Sequence, residues 1–172
     1  ALALKVAYDV IDNPDNSFDA VIWTSSKTTQ LSSNEIIRID NAITDSLGVV
    51  YDINKSLGGT NDSEDSAFQN IIEYLSEFKI LLIIDNLETV LDKRIKSFLG
   101  QIPIGSKILI TSRIGLGAYE YPVQVSPMDD KEAILLIRRL AEIRGIHYLN
   151  KIHNQQLKVF LKKMNHNPGY IK

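Results

Sequence analysis

Two short polar groups, each placed directly after an apolar run, carry the residue types that could do chemistry. The first is Asp85-Asn86-Leu87-Glu88, which follows Ile80-Leu81-Leu82-Ile83-Ile84. A carboxylate at the end of a buried strand is costly unless something balances it, because desolvating an unpaired charge opposes folding. A hydrated magnesium ion bridging nucleotide phosphates would balance Asp85, since that hard cation takes one or two carboxylate oxygens plus phosphate. Capping a helix or turn at the surface is the plainer role open to the same residue. The second group is Thr111-Ser112-Arg113, after Lys107-Ile108-Leu109-Ile110. An arginine there can project a planar guanidinium toward a phosphate, and Thr111 or Ser112 could sense the terminal phosphate. A surface arginine after a strand is the alternative.

Other chemistry finds little support. His147, His153 and His166 are scattered and have no cysteines to complete a zinc site, so they read as solvent-facing or capping residues. No Ser-His-Asp arrangement can be inferred. Nineteen Lys plus Arg against twenty-one Asp plus Glu give a formal charge of -2, which supplies no basic field for a nucleic-acid backbone. The pairs Arg138-Arg139 and Lys162-Lys163 fit a solvated helical face. No apolar run is long enough for a membrane helix, and the start lacks a signal-peptide layout, so no membrane partner is expected. The absence of cysteine is compatible with a reducing cytosol, and a cytoplasmic location is expected.

The elements that must hold the two polar groups are read from periodicity. Leu2, Val6 and Val10 stand at helical spacing with alanines between them, and Phe18 to Thr24 is a β-branched and aromatic run after the turn-forming Asn13-Pro14-Asp15-Asn16. Ser32 with Glu35 has the form of a capping box, so a helix is predicted with Ile36, Ile39, Ile43 and Leu47 on one stripe. From Gly48 to Asp65 periodicity fades, and Gly58 to Asp62 reads as a surface loop. Phe68, Ile71, Ile72, Leu75 and Phe78 mark the next helix, which leads into the five-residue apolar run, a central parallel strand. A short helix over Leu91 to Leu99, a turn at Ile102 to Gly105, a buried strand from Lys107 and a further strand over Tyr121 to Val125 follow. Asp129 with Glu132 caps a helix carrying Ala133, Ile134, Ile137, Leu140 and Ala141. The last helix carries Leu157, Phe160, Leu161 and Met164 and stops at Asn165 to Gly169. Strands alternating with helices predict an α/β domain with a mainly parallel sheet, in which ligands bind beyond the carboxyl ends of the strands.

The order of these pieces resembles NB-ARC, a branch of the STAND P-loop ATPases that includes plant resistance proteins, apoptotic-protease activators and bacterial immune relatives. Ala1-Leu2-Ala3-Leu4-Lys5-Val6-Ala7 resembles the helix directly behind the phosphate-binding loop of that family, and Phe18 to Trp23 its second strand. Leu81 to Asn86 resembles the Walker B strand, and Gly105 to Arg113 the sensor strand. Val125 to Ala133 resembles the lead-in to the small helical subdomain, and Asn167-Pro168-Gly169 the site of its Gly-x-Pro motif. The resemblance implies a P-loop NTPase-type parallel sheet flanked by helices over residues 1–126, and the beginning of the helical subdomain over 127–172. It further implies that Asp85 holds Mg2+, that Arg113, with Thr111 and Ser112, meets the terminal phosphate of ATP, and that Pro168 packs near adenine or ribose. The implied function is an ATP/ADP switch, a slow ATPase whose nucleotide exchange drives homo-oligomerisation and activation of attached effector and sensor domains, in antiphage or innate immune defence.

The departures from the family pattern are specific. Asn86 stands where a second acid is common; it cannot act as a general base, and Glu88 is the candidate to replace it. Asn165 or His166 stands where glycine is preferred. No Gly-x-x-x-x-Gly-Lys-Ser/Thr loop occurs, so the chain is expected to be cut off just behind that loop, and to be inactive alone. A degenerate oligomerisation scaffold that binds no nucleotide is the competing expectation.

Overall fold

The structure, a computed structural model, describes residues 2–31, 36–39, 42–60, 63–117 and 120–171. The chain divides into two compact units, Ala1–Tyr121 and Pro122–Lys172. In chain order the first contains α1 (Leu2–Asp12), β1 (Ala20–Ser25), β2 (Thr29–Leu31), β3 (Ile36–Arg38), α2 (Ser46–Ser56), α3 (Glu64–Glu77), β4 (Ile80–Asp85), α4 (Lys93–Leu99) and β5 (Lys107–Ile110). The second contains α5 (Asp130–Ile143), α6 (Asn154–Lys163) and α7 (Pro168–Ile171). Among the described residues no helix is long and apolar enough to cross a membrane.

The first unit is α/β, as expected: a three-stranded parallel sheet in the order β1-β4-β5, flanked by helices. Central β4 is apolar from Ile80 to Ile84 because both its faces are covered. Ile80, Leu82 and Ile84 join Ile22 of β1 in a core built with α2, α3 and α4. Leu81 and Ile83 turn the other way, onto Ala3 and Ala7 of α1, together with Val21, Trp23 and Leu109. Burial of each large side chain stabilises the fold by about 1.5–3 kcal/mol, so this strand is a firm mount for Asp85 at its end. Parallel neighbours need crossover connections. The segment holding α2 and α3 links β1 to β4, and the one holding α4 links β4 to β5.

Two expectations for this unit fail. Ile36–Arg38 is not helical but a strand, paired antiparallel with β2 in the register Thr29↔Arg38, Gln30↔Ile37 and Leu31↔Ile36. Its run of β-branched residues suits the ladder better than a helix. The predicted cap residues Ser32 and Glu35 lie outside the described residues. The helix begins later, at Ser46, where the Asp45 carboxylate caps it by accepting from the Gly48 N–H at 2.7 Å. Val49, Val50 and Ile53 then bury completely, in a stretch where Gly48 and paired valines lower helix propensity. Asn61 and Asp62 of the predicted loop lie outside the described residues.

The strand expected over Tyr121 to Val125 is also absent. Tyr121, Val123 and Val125 are exposed, and Pro122 has no N–H to give a ladder.

The second unit is helical. Asp129 and Glu132 form the predicted capping box at α5. Ala133, Ile134 and Ile137 pack on Leu157 and Leu161 of α6, whereas Phe160, predicted for that stripe, is exposed. Arg138 is not a solvated cation: its guanidinium donates to the carbonyls of Leu149, Asn150 and Ile152 and to Asn154 Oδ1. The α6–α7 turn places Asn165 and His166 at positive φ, 48° and 52°. His166 Nε2 bonds Asp130 at 2.8 Å, and Lys158 pairs with the same carboxylate at 3.0 Å. These two hydrogen bonds hold the Asp130 carboxyl below its ordinary range.

Candidate functional site

At the carboxyl ends of the three parallel strands, one hydroxyl-rich network surrounds one carboxylate. Asp85 Oδ1 accepts from Thr111 Oγ1 at 2.5 Å, and its Oδ2 accepts more weakly from Ser25 Oγ at 3.4 Å. Thr111 is fixed in turn, because its Oγ1 accepts from the Asn86 N–H at 2.9 Å. Asn86 adopts the left-handed conformation, φ 66°, which asparagine tolerates better than most residues. That turn aims its carbonyl at Ser26, whose buried hydroxyl donates to it at 2.6 Å, and Thr89 Oγ1 donates to Ser26 Oγ at 2.8 Å. Backbone bonds from Ser26 N to Asp85 O and from Leu87 N to Thr111 O carry the pairing past the strand ends.

Beside this network, Glu88 and Arg113 form an ion pair. Arg113 Nε donates to Glu88 Oε1 at 2.6 Å and the Arg113 backbone N–H donates to Oε2 at 3.3 Å. The Glu88 side chain is only 8% exposed, the Arg113 side chain 81%. Burial pushes the Glu88 pKa up, but the Arg113 side chain, the backbone N–H groups and the Arg113 charge outweigh it, so the carboxyl titrates below its usual value. A group with a depressed folded pKa adds stability above the unfolded value and loses it as pH falls through the folded one. Arg113→Ala leaves the carboxylate without its cation and is expected to cost about 1–3 kcal/mol near neutral pH. The gap to the parent protein should narrow below about pH 4 in urea unfolding followed across pH; a gap that is constant or widens in acid would contradict the pairing.

The predicted residues therefore fall into three places. Asp85, Asn86 and Thr111 share one network. Glu88 and Arg113 hold each other, while Ser112 Oγ accepts from the Ile114 N–H at 3.2 Å as a turn cap. Pro168 belongs to the second unit, as the first residue of α7. Ser25, Ser26 and Thr89 are the residues that sequence reasoning missed. The signal for Ser25 and Ser26 was the hydroxyl run Thr24-Ser25-Ser26 closing a strand; Thr89 had none.

The donor set around Asp85 is entirely oxygen, and among the described residues that carboxylate has no ion pair. No cluster of three or more acidic, histidine or cysteine ligands occurs among them either. Such a site cannot enclose a cation by itself. It fits Mg2+, which keeps waters and phosphate oxygens and takes only one or two protein carboxylates.

The fold and site define an α/β chain with an acidic, hydroxyl-lined end to its parallel sheet. Over 114 residues the chain is 32% identical to the transcription activator GutR of Bacillus subtilis (strain 168), a match covering 65% of this chain and 13% of that protein. The matched part thus spans a small fraction of the relative. No family model matches the chain, and no solved structure matches it. The NB-ARC and STAND assignment is corrected by these findings: no family model supports it, and the relative is a transcription activator. The physical reason is that each motif is short: an apolar run closed by a polar residue and a capped helix occur at strand ends and helix starts of α/β domains generally, and so do not single out one family.

Proposed function

We propose that this chain is the nucleotide-responsive switch region of a larger cytoplasmic regulator, taking an adenine nucleotide with Mg2+ at the carboxyl ends of β1, β4 and β5. The observation that carries the reading is Asp85, a carboxylate held by the Thr111 and Ser25 hydroxyls at the end of a buried strand, with no cation of its own among the described residues. Asp85 would hold the metal, which when bound neutralises phosphate charge. Arg113 would meet the terminal phosphate, and the state of that phosphate would bias assembly into homo-oligomers. Asn86 cannot take a proton from water and both Glu88 oxygens are engaged by Arg113, which favours slow hydrolysis over rapid turnover. Similarity to a transcription activator supports a regulatory setting, in which effector and sensor parts belong to other regions of the protein. At a net charge of -2 this chain is a poor choice for the DNA-contacting part.

A second reading, a scaffold that binds no nucleotide, draws on one observation: the polar groups at the strand ends satisfy one another without a ligand. Calorimetric titration of the intact protein with Mg·ATP and Mg·ADP separates the two. Saturable binding to a single site is expected; its absence for both nucleotides would favour the scaffold.

A further inference from the structure

We infer that Glu88 is a positioning residue, which locks Arg113 through its side chain and its backbone together and so presents the guanidinium as a preset fork for a terminal phosphate. The inference rests on the nucleotide reading of the site and adds to it a determinant of triphosphate against diphosphate selectivity.

The mount is rigid on the Glu88 side. Glu88 lies in the one-turn 3-10 segment Leu87–Thr89, between Leu87, fully buried, and Val90, 5% exposed. The Val90 N–H closes that turn on the Leu87 carbonyl at 3.0 Å. Arg113 stands in an irregular stretch after β5 whose next apolar anchor is the buried Leu116. A long cation on such a stretch ordinarily samples many rotamers. Here one carboxylate oxygen takes Nε and the other takes the backbone N–H of the same residue, which fixes the side chain at both ends of its stem.

The manner of pairing matters as much as its existence. A guanidinium offers two bidentate edges, one from Nε and a terminal nitrogen, the other from the two Nη groups. Glu88 spends only Nε. Among the described residues the Nη groups have no partner, and the side chain is 81% exposed. The edge that remains matches two oxygens of a phosphate. Since both Glu88 oxygens are committed to Arg113, the role of replacement general base passes from this residue to that of support.

The test compares Glu88→Ala, Glu88→Gln, Arg113→Ala and the double variant Glu88→Ala/Arg113→Ala in the intact protein, titrated with Mg·ATP and Mg·ADP. Freeing a rotamer-rich side chain should weaken triphosphate binding by about 3- to 10-fold in Glu88→Ala and leave diphosphate binding within about 2-fold. Arg113→Ala should lose about 10- to 100-fold for the triphosphate. The double variant should match Arg113→Ala alone, because Glu88 acts only through Arg113. Glu88→Gln keeps one acceptor and should recover part of the loss; it also serves as the readout if the alanine variant does not fold. Equal loss for both nucleotides, additive effects in the double variant, or wild-type triphosphate affinity in both Glu88 variants would overturn the role while leaving nucleotide binding intact. A wild-type protein that binds neither nucleotide would overturn the underlying reading, and this role with it.

Discussion

Asp85→Asn is expected to remove most magnesium-dependent nucleotide binding while leaving the fold almost unchanged. Asparagine keeps an oxygen where Thr111 Oγ1 donates, so the network joining β4 to β5 retains its central acceptor. The stability cost should stay near ~1 kcal/mol, the usual net worth of one altered hydrogen bond. What disappears is the charge. A hard divalent cation shared with phosphates depends on its carboxylate, and losing that interaction should weaken Mg·nucleotide binding about 100-fold, or about 3 kcal/mol. Titrations with Mg2+ and with excess chelator separate the two contributions. The variant should bind as weakly with the metal as the parent does without it. A variant that unfolds, or one that keeps full metal dependence, would remove Asp85 from the proposed role.

The second large effect concerns the support beneath the site. Phe98 is fully buried on α4 and lies 5.9 Å from Phe68 of α3, ring centre to ring centre, with a tilt of 54°. Phe98→Ala should cost about 3–5 kcal/mol, through lost transfer energy and the cavity left behind. Domains are stable by only about 5–15 kcal/mol, so the urea midpoint of the first unit should fall steeply. A loss below about 1 kcal/mol would mean that α4 does not pack here as described.

How far the sequence could be read depended on how local the determining interactions are. β4 and β5 were legible because burial on two faces leaves a continuous apolar run, and α5 because its capping box lies within four residues. α2 was hidden. Gly48, Val49 and Val50 are mediocre helix formers, and only packing onto the sheet makes their segment helical. β3 was misread as helix because its isoleucines fit a stripe as well as a strand, and pairing with β2 decided between them. Strand Tyr121–Val125 was over-read, since β-branched residues without a partner make no sheet.

Within the site, Asp85, Thr111 and Arg113 announced themselves by standing at the ends of apolar runs. Ser25, Ser26 and Thr89 did not, because their part depends on pairings of sixty residues or so along the chain. The Glu88–Arg113 pair spans 25 positions and joins two residues that the sequence assigned to different tasks, base and phosphate contact. Family likeness was the least reliable guide, because it rested on motifs of a few residues each, and no family model matches the chain.

Nucleotide binding by the intact wild-type protein tests the central proposal most directly. Calorimetric titration with Mg·ATP and Mg·ADP should give saturable binding at one site, weakened by chelation of magnesium and by Asp85→Asn. Heats indistinguishable from dilution for both nucleotides, with the protein folded, would contradict it and leave the strand-end network a structural clasp.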